Sequence, residues 1–221
     1  MQRTFFFKWI TLSLLAAAAP AQAQWYAGAG IGATDARLDE GAQSAQQLSA
    51  NGFSGAQTSL DKRDTGGRIY GGYRFHPNLA VEVGYADLGR FRVQSRANSG
   101  SLGAGELVND TKIRGADISI VGRYRLNDKF SFLGRVGAFA AETESNASSD
   151  GSIVLFRDSS ARYQQHKTVA TVGLGGEYQL AAKVSLRGEW SRIEKAKTRD
   201  VLGFERDTSV NLYTIGVTYR F

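Results

Sequence analysis

The hydrophobic pattern is clearest at the end of the chain. From Ser209 to Phe221 the odd positions include Tyr213, Ile215, Val217, Tyr219 and Phe221, and the even ones include Thr214, Gly216, Thr218 and Arg220. Strict alternation gives a strand one apolar face and one polar or tiny face. Gln24 to Ala33 divides in the same way, with Trp25, Ala27, Ala29, Ile31 and Ala33 against Tyr26, Gly28, Gly30 and Gly32. Between these two segments the pattern predicts strands near 64–75, 79–94, 111–126, 129–145, 160–179 and 183–198, which makes eight. Their connections alternate in length. His76-Pro77-Asn78, Asn127-Asp128 and Ala181-Ala182 are short turns, whereas 36–63, 95–110, 146–159 and 199–207 are long and polar. Short turns on one side and long loops on the other are the pattern of an outer-membrane barrel. Pro77 falls in a short turn, where its missing N–H removes no ladder bond.

Charge placement sharpens this reading. Arg68, Arg74, Glu82, Arg123, Arg135, Glu177, Arg187, Glu189 and Arg220 all fall on the face opposite the apolar one. A soluble two-sheet sandwich would turn these charges to solvent, and a membrane barrel would turn them into its lumen. Three features favour lipid outside. The aromatics Trp25, Tyr73, Phe75, Tyr124, Phe130, Phe132, Tyr178 and Phe221 collect on the short-turn side, as an interfacial girdle does. The inward positions are small, with Gly28, Gly30, Gly32, Gly72, Gly84, Gly137, Gly173, Gly175 and Gly216 leaving room for long charged side chains. The chain stops on an aromatic, as expected where an eighth strand closes onto the first.

The leader and the composition fit an exported protein. Arg3 and Lys8 are its basic residues, Trp9 to Ala19 is apolar, and Ala21-Gln22-Ala23 is a small-x-small cleavage site. A signal peptide over 1–23, cut after Ala23, and a barrel over 24–221 are therefore expected. Without Arg3 and Lys8, the remaining chain carries 25 basic and 21 acidic residues. That excess is too mild to argue for nucleic acid as a partner. With no cysteine and only two histidines, there is no thiol chemistry and little material for a metal site.

Several stretches resemble the OmpA-like outer membrane protein family, small eight-stranded transmembrane barrels. Gly71-Gly72-Tyr73-Arg74-Phe75-His76-Pro77-Asn78, Val81-Glu82-Val83-Gly84-Tyr85 and Leu88-Gly89-Arg90 are similar to its second and third strands and the turn between them. Trp25-Tyr26-Ala27-Gly28-Ala29 resembles its first strand. Gly175-Gly176-Glu177-Tyr178, Leu186-Arg187-Gly188-Glu189-Trp190 and Val217-Thr218-Tyr219-Arg220-Phe221 resemble strands six, seven and eight. The resemblance implies a buried ionic network from Glu82, Glu177 and Arg187, with Arg135 as the inward arginine of strand five. The family's central lysine on strand one would fall at Gly30, so the chain departs from the family where its gate would be. Larger members add a peptidoglycan-binding domain. With this chain ending at its eighth strand, that anchoring is not expected. The resemblance also makes Tyr213, Ile215, Val217, Tyr219 and Phe221 a C-terminal signal for the barrel assembly machinery.

The remaining candidates carry plainer readings. His76 lies in a turn and His166 shares parity with outward residues, so neither is expected to act as a catalytic base. Gly28 to Gly32 lies within a strand with no helix after it, and so cannot cradle a phosphate. Asp35, Asp39 and Glu40, like Glu142, Glu144 and Asp150, lack the fixed spacing of a calcium loop and are read as solvated charges. Lys62, Arg63, Lys195, Lys197 and Arg199 fall at the outer rim, where lipopolysaccharide phosphates would attract them. The expected role is structural support of the envelope or surface interaction through the loops, without catalysis or cofactor. A narrow small-solute channel is the alternative, and a lipid-modifying barrel enzyme ranks behind both.

Overall fold

A computed structural model describes residues 24–37, 53–54, 57–97, 99–100, 105–151, 160–199 and 205–221. The signal segment 1–23, together with Asp39 and Glu40, lies outside the described residues. Eight long strands form the wall: β1 (Gln24–Arg37), β2 (Arg63–His76), β3 (Leu79–Ala97), β4 (Gly105–Arg125), β5 (Phe130–Gly151), β6 (Ser160–Ala181), β7 (Val184–Arg199) and β8 (Glu205–Arg220). Each pairs antiparallel with its neighbours in the chain, and β1 pairs with β8, so the sheet closes and no edge faces lipid. This is an eight-stranded up-and-down barrel.

Parity holds around the wall. Ile31, Ile69, Val83, Ile118, Ile120, Val136, Leu174, Ile215 and Val217 are exposed on the outside. Isolated in water, such a band would be an aggregation surface, and in lipid it lies against hydrocarbon. Trp25, Phe75, Tyr124, Phe132, Tyr178 and Phe221 ring the short-turn end, also exposed. Among the described residues no helix is long and apolar enough to cross a membrane, which says nothing against crossing by strands.

The strands run further outward than alternation predicts. β4 starts at Gly105 instead of near 111, β5 continues to Gly151 instead of 145, and β8 starts at Glu205 instead of 209. Crossing a bilayer takes about 9–11 tilted residues, so the 22 residues of β5 and of β6 stand well clear of it. Above the membrane both faces become polar and the hydrophobic signal ends, yet pairing continues. Cross-strand pairs hold this part: Arg92 with Asp110 at 2.7 Å, Arg96 with Glu106 at 3.4 Å and Arg114 with Glu142 at 3.1 Å. The expected loop 36–63 contains a further strand, Gln57–Asp61, that pairs with the outer part of β3.

One irregularity turns β3. Its register with β4 shifts between Asp87 and Arg90, and Gly89 there has φ +83°. A Cβ at Gly89 would lie 2.6 Å from Asp64 Oδ2. The same carboxylate accepts the Arg90 N–H at 2.6 Å, so bulge and acid fix one another. Beyond the bulge the parity of β3 reverses, which brings Phe91 inside.

Candidate functional site

Among the described residues, buried charges collect in the lumen, and they are layered. The central layer is a closed ring of six alternating charges. Arg68 Nη1 meets Glu82 Oε2 at 3.2 Å, and Arg187 Nη1 meets Glu82 Oε1 at 2.6 Å. Arg187 Nη2 reaches Glu189 Oε2 at 2.5 Å, and Arg135 Nε lies 3.3 Å from Glu189 Oε1, out of line for a hydrogen bond. Arg135 Nη1 continues to Asp117 Oδ2 at 3.3 Å, and Asp117 closes the ring by accepting from Arg68 Nε at 3.0 Å and Nη2 at 2.8 Å. The six groups come from β2, β3, β4, β5 and β7, so the ring ties five strands together across the lumen. All six are buried.

Neutral groups complete it. The Tyr26 hydroxyl donates to Glu82 at 2.9 Å, Ser191 Oγ to Glu189 at 2.8 Å and Ser119 Oγ to Asp117 at 3.2 Å. The Tyr70 ring lies near both Arg68 and Arg187, at 4.8 and 4.7 Å. Space for the ring comes from the inward glycines. A Cβ at Gly84 would stand 2.7 Å from Asp117 Oδ1 and 2.8 Å from Arg68 Nη2. Two small voids border the ring, each with about 10 Å³ of free room, close to what one water needs.

The nine charges expected in one lumen network separate into two groups. Arg68, Glu82, Arg135, Arg187 and Glu189 join the ring. Arg74, Arg123, Glu177 and Arg220 lie in the periplasmic mouth below it. Glu177 meets Arg123 at 3.4 Å and not Arg187, which corrects the trio of Glu82, Glu177 and Arg187 implied by resemblance. The cause is the direction of the side chain, not the register. Glu177 stands opposite Arg187 along the wall, but Arg187 turns to Glu82 and to Glu189 on its own strand. Arg74 lies over the Tyr26 ring, and Arg220 bonds to Gln179. Sequence reasoning missed Asp117, the acid that balances the ring, although it shares parity with Arg123 on the same strand.

Sequence reasoning also missed an apolar layer in the lumen on the outer side of the ring. Leu88, Phe91, Ile113, Phe139, Val169, Ile193, Val210 and Leu212 pack there with Ala36, Ala86 and Ala141 in one buried cluster. Ile113, Phe139, Val169 and Ile193 share parity with Asp117, Arg135, Glu177 and Arg187. That break in the polar face was the available signal.

The other candidates are dispersed. His76 Nδ1 accepts from the Asn78 N–H at 3.2 Å in its turn, and His166 is exposed on the outer wall opposite Glu142. Asp35 pairs with Arg63 at 3.9 Å, and Glu144 pairs with Arg162. Among the described residues no three potential metal ligands gather. Lys62 and Arg63 lie at the outer end of β2. The backbone of Lys195, Lys197 and Arg199 runs along the outer part of β7, and that of Asp150 along the outer part of β5; their side chains lie outside the described residues. Tyr213, Ile215, Val217, Tyr219 and Phe221 all face outward and are exposed.

A closed antiparallel barrel with a lipid-facing apolar band, an aromatic girdle and a charged lumen defines a bacterial outer-membrane β-barrel protein. The chain belongs to the OmpA-like transmembrane domain family, whose model matches residues 20–221. Outer membrane protein A of Salmonella typhi is 26% identical over 211 residues, 94% of this chain and 51% of that protein. Its counterpart from Shigella flexneri is 24% identical over 209 residues, with 94% and 51% covered. The chain thus spans about half the length of these curated relatives. Two solved barrels share the fold: Neisserial surface protein A, with TM-score 0.51, 14% identity and 89% of this chain and 97% of that chain covered, and the outer membrane protein AlkL, with TM-score 0.51, 15% identity and 90% of each covered.

Proposed function

We propose that this barrel is a closed, non-catalytic element of the outer membrane that supports the envelope and presents its outer strands and loops for surface contacts. The observation that supports this most is the filled lumen. A six-charge ring and an apolar layer lie in series, and each spans the interior. An eight-stranded barrel is about wide enough for side chains to fill, and this one is filled. His76 and His166 stand far apart in the fold, at the turn end of β2 and on the outer wall. The rigid wall would hold any partner-binding residues outward, where contacts form on loops.

Two partners fit the surface. The phosphates of lipopolysaccharide would meet Lys62, Arg63, Lys195, Lys197 and Arg199 at the outer rim. Neutralising all five is expected to weaken the acceleration of folding by lipopolysaccharide, and unchanged acceleration would remove this partner. The outward Tyr213, Ile215, Val217, Tyr219 and Phe221 would serve the assembly machinery as well as lipid contact.

The decisive experiment is conductance of the refolded protein in a planar bilayer, with heat-dependent gel mobility confirming the folded barrel. Silence is expected. Discrete openings weakened by substitution of Arg135 or Arg187 would replace this reading with that of a narrow channel.

A further inference from the structure

Charge does not balance along the length of the lumen. The ring sets three guanidiniums against three carboxylates and is neutral. Below it, Arg74, Arg123 and Arg220 share the periplasmic mouth, and Arg125 at the end of β4 is close enough to act on all three. Glu177 is the acid that answers them. Four guanidiniums thus face one carboxylate. The turns nearby add Lys129 and Lys183 against Asp128.

Hydrogen bonding shows the same deficit. Arg123 Nε and Arg220 Nε are buried without an acceptor among the described residues. The side chain of Arg123 is only 10% exposed, and its one ion pair among the described residues, to Glu177, is long at 3.4 Å. A buried guanidinium with an idle donor is costly, and its planar fork suits an oxyanion that can accept from two nitrogens at once. The mouth lies at the level of Trp25, Tyr124 and Phe221 on the outer wall. Interfacial aromatics sit at headgroup depth, so phosphate groups are within reach there.

We propose that the periplasmic mouth binds a phosphate-class oxyanion on Arg74, Arg123 and Arg220, with Arg125 drawing it in. The anion comes from an inner-leaflet phospholipid headgroup or from dissolved phosphate, and one set of donors serves both. Chloride, a single point acceptor, fits this set poorly. The site is independent of whether the lumen conducts.

The test uses the whole protein refolded in octyl glucoside, which carries no phosphate. Inorganic phosphate is titrated against chloride at constant ionic strength. The readouts are phosphorus NMR line broadening and the temperature at which the folded gel band converts to the unfolded one. Phosphate is expected to act saturably and chloride not. R123Q and R220Q should each weaken half-saturation roughly tenfold, and R125Q less. E177Q removes the competing carboxylate and should tighten it roughly tenfold. Damage to the fold cannot tighten binding, so E177Q keeps the test decisive if an arginine variant folds poorly. A second titration uses short-chain phosphatidylglycerol. Saturation at lower concentration than phosphate assigns the site to headgroups, and saturation at higher concentration assigns it to the dissolved ion. Equal responses to phosphate and chloride, or an E177Q response no tighter than the parent's, would overturn the proposal.

Discussion

Asp117 shows how much a single residue decides. It holds Arg68 through two nitrogens and Arg135 through a third contact, and it closes the ring. Without its charge two buried guanidiniums lose a shared partner, and breaking a buried ion pair costs about 3–5 kcal/mol. D117N keeps the shape and removes the charge, so we expect a loss of that size in urea unfolding of the vesicle-embedded protein. E177Q should cost clearly less, because Glu177 makes one ion pair among the described residues, long at 3.4 Å, where Asp117 is shared by two guanidiniums. Equal costs would mean that the ring does not act as a unit. The arginines of this ring were legible in the sequence through parity, and so were two of its acids. Asp117 has the same parity as Arg123 and was legible on the same ground. Partner choice within the lumen was not legible, because parity places a side chain inside without saying which neighbour it will meet.

Among the elements, β3 departs most from a regular strand. Alternation locates it and its first half, but at Leu88 and Gly89 the parity changes without any break in composition. The sequence around it resembles the family's strand without indicating that Gly89 holds a positive φ. The reason is physical. This bulge puts one residue in a left-handed conformation, which glycine adopts without penalty, and it needs a nearby acceptor for the freed N–H groups. Asp64 and Asp87 supply the acceptors, since Asp87 Oδ1 takes the Gly89 N–H at 2.9 Å. Asp64 comes from another strand, so no local window shows the arrangement. G89V is expected to cost about 1–3 kcal/mol from backbone strain and from the clash with Asp64. Hydrogen exchange should show the damage confined to residues 88–97 and their partners on β4, while the lower barrel keeps its protection. Uniform loss of protection would show that the bulge anchors the whole wall. On the lipid face, I118R should cost about 2–4 kcal/mol near the bilayer midplane, measured by the same unfolding experiment.

At the scale of the whole molecule the lumen contains two layers of opposite chemistry, a charged ring and an apolar cluster above it. Under the closed-barrel proposal the ring resists ions by its own tight pairing, and the apolar layer resists them by excluding water. Barriers in series mean that removing either one leaves the other in place. F139A opens room in the apolar cluster and should cost about 3–5 kcal/mol in stability, yet it should remain silent in a planar bilayer because the ring is intact. D117N loosens the ring and should also remain silent, with Phe91, Phe139 and Leu212 still packed above it. Only the double variant, D117N with F139A, is expected to show discrete openings. Asp117 and Phe139 stand directly opposite each other on β4 and β5, so their stability costs should depart from additivity by about 0.5–3 kcal/mol, and their effects on conductance should not add either. Openings in F139A alone would show that the ring is permeable once wetted. Openings in D117N alone would identify the ring as the only barrier, with the apolar layer no more than packing.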